Sequence, residues 1–336
     1  MRIVDAALQR IGPRVANLAT MRSAVSTTGL KHVARFAWLV LVYNIAVILW
    51  GAYVRATGSG AGCGSHWPLC NGEILPTSAR TQTLIEFTHR VTSGLSLVLV
   101  SILLIWCWRR TAKGDWPRYA ALSAAVLLLN EALLGAALVV FEHVGLDHSA
   151  SRAVFLGLHF GNTLVLVAAL TLTAKWLANG NQRLIVAGAR YERIVIAFGL
   201  LFVMATGMTG SLAALGDTIF PSTTLKASIA QDFSASTHLF LRLRLIHPVV
   251  AAIAFFYTLW MVQKLSKNRE ESSGTLPFLS TTLLAQIALG VLNVLLLAPV
   301  WLQVAHLFVA EVFWILLVIA SSSVLLKPAD NAAKVP

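Results

Sequence analysis

Long apolar runs separated by short polar stretches dominate this chain. Eight are read, at about 36–55, 84–107, 119–140, 153–176, 194–214, 239–262, 276–298 and 300–325. A helix needs roughly 20 residues to cross the hydrocarbon layer, and the runs approach or exceed that length. They do not alternate apolar with polar positions, so spanning strands are not expected. The pattern predicts an all-α membrane protein with eight transmembrane helices.

The pattern then recurs within the chain. GAYVRATGSG around Gly51 stands ahead of a loop, as does GMTGSLAALG around Gly207. HRVTSGLSLVLV begins at His89 and HPVVAAIAFFYT at His247. Leu134-Gly135 lies in a run and is followed by His159; Leu289-Gly290 lies in another and is followed by His306. The landmarks keep their order at a displacement of roughly 150 residues, which marks a duplicated unit. Each unit crosses an even number of times, so both halves point the same way. Two four-helix bundles related by a pseudo-twofold axis along the membrane normal are expected. The boundaries predicted are a basic N-terminal segment 1–35, a first bundle 36–177, a connector 178–193, a second bundle 194–326 and a tail 327–336.

Composition excludes an ordinary soluble domain, because hydrophobic residues make up 57% of the chain and charged residues 12%. The net charge of +12 raises the question of nucleic acid, but its placement points to membrane lipid instead. Most basic residues fall on one set of helix ends: Arg109, Arg110, Lys113 and Arg118, then Arg183, Arg190 and Arg193, then Lys264, Lys267 and Arg269. The positive-inside rule puts that side, and both termini, in the cytoplasm. Trp50 and Trp301 mark the outer interface. A bacterial inner membrane is expected, with a mitochondrial inner membrane as the alternative if the Arg-bearing N-terminal segment is a transit peptide.

Four histidines change the picture. His89, His159, His247 and His306 stand one to a run on runs two, four, six and eight, about five to eight residues from the outer end, or roughly 8–12 Å deep. An ionisable residue at membrane depth is a functional candidate by default. One imidazole on each of two facing helices suits an axial pair on haem iron. Two bis-histidine haem sites are expected, one per half. Zinc suits the pattern less, because no further ligands accompany either pair, Glu86 apart.

The halves differ beside these histidines. Glu86 precedes His89 by three residues and shares its helical face; it is the candidate catalytic acid or base. Arg244 holds the matching position before His247 and suits a haem propionate. The first half thus reads as catalytic and the second as an electron-transfer site. Cys63 and Cys70, in GCGSHWPLCNG, fall in the first outer loop, where an oxidising compartment favours a Cys63–Cys70 disulfide. That bridge would staple the loop, clamp a lid over the first site, or take up electrons. Glu131, inside run three, is either a hydrogen-bonded acid or part of a proton path.

Together these segments resemble the haem A synthase family. The resemblance rests on GAYVRATGSGAGC, the cysteine loop ending WPLCNG, Glu86-x-x-His89-Arg90, LGLHFGN around His159, LIHP at His247 and QVAHL at His306, and covers about residues 36–325. It implies an oxidoreductase that converts the C8 methyl of haem O to the formyl of haem A for cytochrome oxidases. It implies haem b held by His247 and His306, substrate haem O near His89 and His159, and a Glu86 essential to turnover. Glu131 stands where the family more often shows glutamine, and the second half has Gln286. Partners then include haem O synthase as supplier of substrate, an unidentified electron donor and a second copy of the chain. Competing readings are a dihaem cytochrome serving a quinone and a non-catalytic haem carrier.

Overall fold

The computed structural model describes residues 2–77, 80–145, 147–180, 184–234, 237–266 and 275–328, with backbone alone for 2–28, 266, 275, 276 and 328. The helices are α1 (Arg2–Ala56), α2 (Thr81–Arg110), α3 (Trp116–Val140), α4 (Ala150–Ala178), α5 (Arg190–Ile219), α6 (Leu225–Asp232), α7 (Leu239–Ser266), α8 (Thr275–Leu295) and α9 (Val300–Leu325). All but the short α6 carry a segment long and apolar enough to cross a membrane, which in α1 is Gly29–Ala56. The protein is all-α in its membrane region and multi-pass, as the pattern predicts.

Several helices outrun the apolar runs. Apolarity marks contact with hydrocarbon, whereas the helix continues through polar first turns such as that at Thr81 and basic last turns such as Arg109 and Arg110. The basic segment expected at 1–35 is continuous in backbone with the first span from Arg2 onward. The connector forms β1 (Leu184–Val186), which pairs antiparallel with β2 (Leu326–Pro328), Leu184 opposite Pro328 and Val186 opposite Leu326. This surface ladder ties the connector to the end of α9, a link that hydrophobic periodicity did not reveal. Arg183 and the tail beyond 328 lie outside the described residues.

Helix α1 packs on α2 and α4, and α3 packs on both α2 and α4; α5 packs on α7 and α9, and α8 on α9. The halves meet through α4 against α5 and α9, and α1 against α9 and α5. Leu41, Leu166, Leu170, Leu177, Ile196 and Leu317 are fully buried in the core along this seam. Trp314 closes it by donating its Nε1–H to the carbonyl of Leu164 at 2.7 Å. Outward-facing residues such as Leu39, Val126 and Phe256 remain exposed, the face a bilayer would cover. Two local features set the second half. Pro248 lies inside α7 directly after His247 and lacks the N–H that would bond back to the carbonyl of Arg244. Leu297 and Ala298 take φ of 58° and 49° between α8 and α9, a left-handed turn that brings the chain back within a few residues.

Candidate active site

The four histidines lie near one end of their helices, six to nine residues beyond Thr81, Ala150, Leu239 and Val300. At 1.5 Å per residue this is roughly 9–14 Å from the helix starts. The loops at this end include the one carrying Cys63 and Cys70, so it is called the cysteine face. His89 is within electrostatic reach of His159, and His247 of His306. The imidazoles therefore neighbour one another between α2 and α4 and between α7 and α9.

Each ring rests against a glycine of the preceding spanning helix. A Cβ on Gly51 would lie 2.9 Å from His89 Cε1 and 3.1 Å from its Nε2. On Gly210 it would lie 2.9 Å from His247 Cε1, on Gly290 3.4 Å from His306 Cε1, and on Gly135 3.7 Å from His159 Cε1. One unit, a helical glycine followed by a histidine on the next spanning helix, thus occurs four times. The glycines let each imidazole lie close to a neighbouring backbone.

The polar atoms around the rings fit axial ligation. Thr209 Oγ1 lies 3.3 Å from His247 Nδ1, and Glu131 Oε1 lies 3.3 Å from His159 Nδ1. The hydroxyl on His247 Nδ1 orients that ring and leaves its Nε2 for a metal. Glu131 is itself held by Asn162 Nδ2 at 2.6 Å and by the Thr163 hydroxyl. The buried Nδ1 atoms of His89, His159 and His306 have no hydrogen-bond partner, Glu131 standing at ion-pair distance from that of His159. Gln286 Nε2 lies 3.2 Å from His306 Nε2, and its own Oε1 is buried without a partner. A ligand at His306 Nε2 must displace that amide, which then has an orphaned oxygen to satisfy. Among the described residues no group of three or more His, Cys, Asp and Glu is arranged to hold a bare ion. Two nitrogens per site suit an iron whose equatorial bonds a macrocycle already fills.

Glu86 is 3% exposed and shares the face of α2 with His89. Its Oε2 accepts the backbone N–H of Cys63 at 2.8 Å, and its Oε1 accepts Arg90 Nη2 at 2.6 Å. Arg90 also donates to the carbonyls of His66 and Leu69 at 2.5 Å each. The Cys63–Cys70 disulfide is formed, with both cysteines buried. Glu86 therefore ties the stapled loop to the helix that carries His89. Of the roles considered for the bridge, the stapled cap over the first site is the one this geometry favours.

Arg244 is placed differently from its sequence reading. Its guanidinium pairs with Asp217 at 2.9 Å and with Asp232, and reaches the Ser228 carbonyl. Asp232 comes from α6, which the apolar pattern did not register. Sequence reasoning also passed over Glu311 on α9, which is fully buried with both oxygens unpartnered; an acid inside run eight was signal enough. It used the glycines as repeat markers without seeing that they face the histidines. Outside the spans, burial raises the Asp147 pKa, but hydrogen bonds from Ser149 and His143 outweigh it and hold the carboxyl below its ordinary value.

Eight spanning helices with two imidazole pairs near one face define a multi-pass membrane protein with paired intramembrane histidines. The chain belongs to the COX15-CtaA family, cytochrome oxidase assembly proteins, whose profile matches residues 34–318. It is thus a multi-pass membrane protein of a cytochrome oxidase assembly family. It is 40% identical over 313 residues to a Thermus thermophilus protein named protoheme IX farnesyltransferase, covering 91% of this chain and 51% of that protein. It is 41% identical over 142 residues to a heme A synthase of Alkalihalophilus pseudofirmus, covering 42% of this chain and 45% of the relative. A Bacillus licheniformis heme A synthase is 43% identical over 134 residues, covering 40% of this chain and 41% of the relative. The chain spans about half the length of the Thermus protein, and the matches to these two heme A synthases span less than half of either protein.

Proposed function

We propose that this protein is a haem A synthase, oxidising the C8 methyl of haem O to a formyl group for terminal oxidases. The observation that carries the reading is the fourfold glycine–histidine unit, paired into two sites, in a chain of this family. His89 and His159 hold the substrate haem O, released as haem A. His247 and His306 hold haem b. The halves act as twofold-related bundles, and the cysteine face lies outside a bacterial inner membrane with both termini in the cytoplasm.

Methyl-to-formyl conversion removes electrons and protons from one carbon and adds one oxygen. Bound haem b supplies one-electron redox chemistry to the second half. The protein's own groups do the rest. The histidines, backed by glycines, fix the ring planes. The stapled loop limits water. Glu86, beside His89 and poised between Arg90 and the Cys63 N–H, takes the proton leaving the substrate carbon. We infer that the farnesyl transfer named for the Thermus protein belongs to the half this chain does not cover. That would join supply of haem O to its consumption in one polypeptide.

The test is Glu86→Ala in the purified full chain, with haems extracted and identified by mass. The variant should keep haem b and accumulate haem O without haem A. Normal haem A formation removes Glu86 from catalysis. A wild-type protein carrying haem b alone, and never haem O or haem A, would favour a dihaem cytochrome.

A further inference from the structure

The last turn of α1 places a guanidinium between the two halves. Arg55 follows Gly51 by four residues and so lies one turn above the glycine that abuts His89. Its donors cross to the second half. Nη1 reaches the Ala214 carbonyl at 2.6 Å and Thr218 Oγ1 at 3.1 Å on α5, and Nη2 reaches Gln303 Oε1 at 2.9 Å on α9. Gln303 precedes His306 by three residues, again one turn. Arg55 is thus a residue of the first half standing beside the ligand helix of the second.

All of these acceptors are neutral. Arg90 is paired with Glu86 and Arg244 with Asp217 and Asp232; among the described residues no carboxylate comes within ion-pair distance of Arg55. Asp217 acts on it at longer range, while that carboxylate is bonded to Arg244. A second guanidinium, Arg152, is close enough to repel it. Arg152 is 7% exposed and donates to the carbonyls of Gly145 and Asp147. Two neighbouring cations whose direct partners are neutral carbonyl, amide and hydroxyl groups are costly to desolvate, and the carboxylates of Asp217 and Asp147 act on them only at longer range. A carboxylate between them would offset that cost, and the planar fork of arginine matches it. Arg244, the arginine the sequence favoured, is already neutralised on two sides.

We propose that Arg55, with Arg152 beside it, is a carboxylate-binding site contributed by the first half, and that it receives a propionate of the haem held by His247 and His306. The proposal rests on the bis-histidine reading of the second half. It makes the second site incomplete without α1, and it gives the half-buried guanidinium a function that packing alone does not.

The experiment compares haem b with its dimethyl ester. The full chain carrying His89→Ala, which silences the first site, is freed of haem and titrated with each porphyrin, reading the low-spin Soret band. The parent should bind haem b on the order of tenfold more tightly than the diester. Arg55→Gln should bind both alike, at the level of the diester. Arg55→Lys keeps the charge but not the fork and should lose part of the preference, which keeps the test available if the glutamine variant does not assemble. An undiminished preference in either variant overturns the proposal and leaves histidine ligation standing. If His247→Ala leaves binding unchanged, the ligation reading falls and this site falls with it.

Discussion

Substituting the four cradle glycines by alanine should separate haem binding from folding. Alanine in a helix interior is worth about 0.5–1 kcal/mol over glycine, so the gain in folding is similar at all four positions. The contacts are not. At Gly51 and Gly210 the new Cβ would lie 2.9 Å from the imidazole Cε1, closer than packing allows, so the ring must move. In the free protein the ring can turn aside at little cost. Clamped to iron it cannot, and forced overpacking costs about 1–3 kcal/mol, roughly 5- to 150-fold in haem affinity. At Gly290 the contact is 3.4 Å and the loss should be small; at Gly135 it is 3.7 Å, ordinary van der Waals distance, and binding should be unchanged. The assay is haem per protein by pyridine haemochrome, alongside thermal unfolding of haem-free protein. Gly51→Ala should empty the first site, Gly210→Ala the second, and Gly135→Ala neither. Full occupancy in Gly51→Ala and Gly210→Ala, or a loss in Gly135→Ala as large as theirs, would refute the cradle reasoning.

Three further outcomes follow from the same contacts. Cys63→Ser with Cys70→Ser should leave haem b bound in the second half while making the first loop sensitive to proteolysis, because Glu86 and Arg90 then hold an unstapled loop; unchanged cleavage kinetics would contradict the staple. Glu311→Leu should be neutral or raise thermal stability, since it removes two buried oxygens without partners; a loss above about 2 kcal/mol would mean those oxygens bond to something the protein needs. Glu131→Gln should raise the midpoint potential of a haem bound at His159, because a carboxylate beside Nδ1 makes the imidazole a stronger donor and favours the oxidised metal; redox titration showing no shift would remove Glu131 from the ligand's surroundings.

The spans were legible because the bilayer fixes their length, and the histidines because each interrupts an apolar run. The seam between the halves was not. Leu166 is buried in it, while its neighbour Val165 is 38% exposed, and in a membrane both surfaces demand apolar residues. Hydropathy therefore cannot say which face of α4 meets α9 and which meets lipid. The ion pairs of Arg244 were not legible for a related reason. Its partner Asp232 lies on α6, a short polar helix between spans that reads as loop. Glu86 was legible as a candidate because it shares a face with His89, but its bond to the Cys63 backbone depends on a loop closure that spacing does not encode.

The asymmetry between the halves has a direction. Both sites share the glycine–histidine frame, and they differ in what surrounds it. On the proposed reading, the first site has the carboxylate of Glu131 within ion-pair distance of His159 and, one turn from His89, the Glu86–Arg90 ion pair. The second has the neutral amide of Gln286 against His306, the hydroxyl of Thr209 against His247, and Arg55 one turn beyond. Negative charge near a haem stabilises the oxidised iron, and positive charge or neutral donors favour the reduced one. The first site should therefore hold the lower potential. A duplicated bundle with identical surroundings would have no such difference. On this reading the carboxylate of Glu131, where the second half has the amide of Gln286, is what would set the two sites apart.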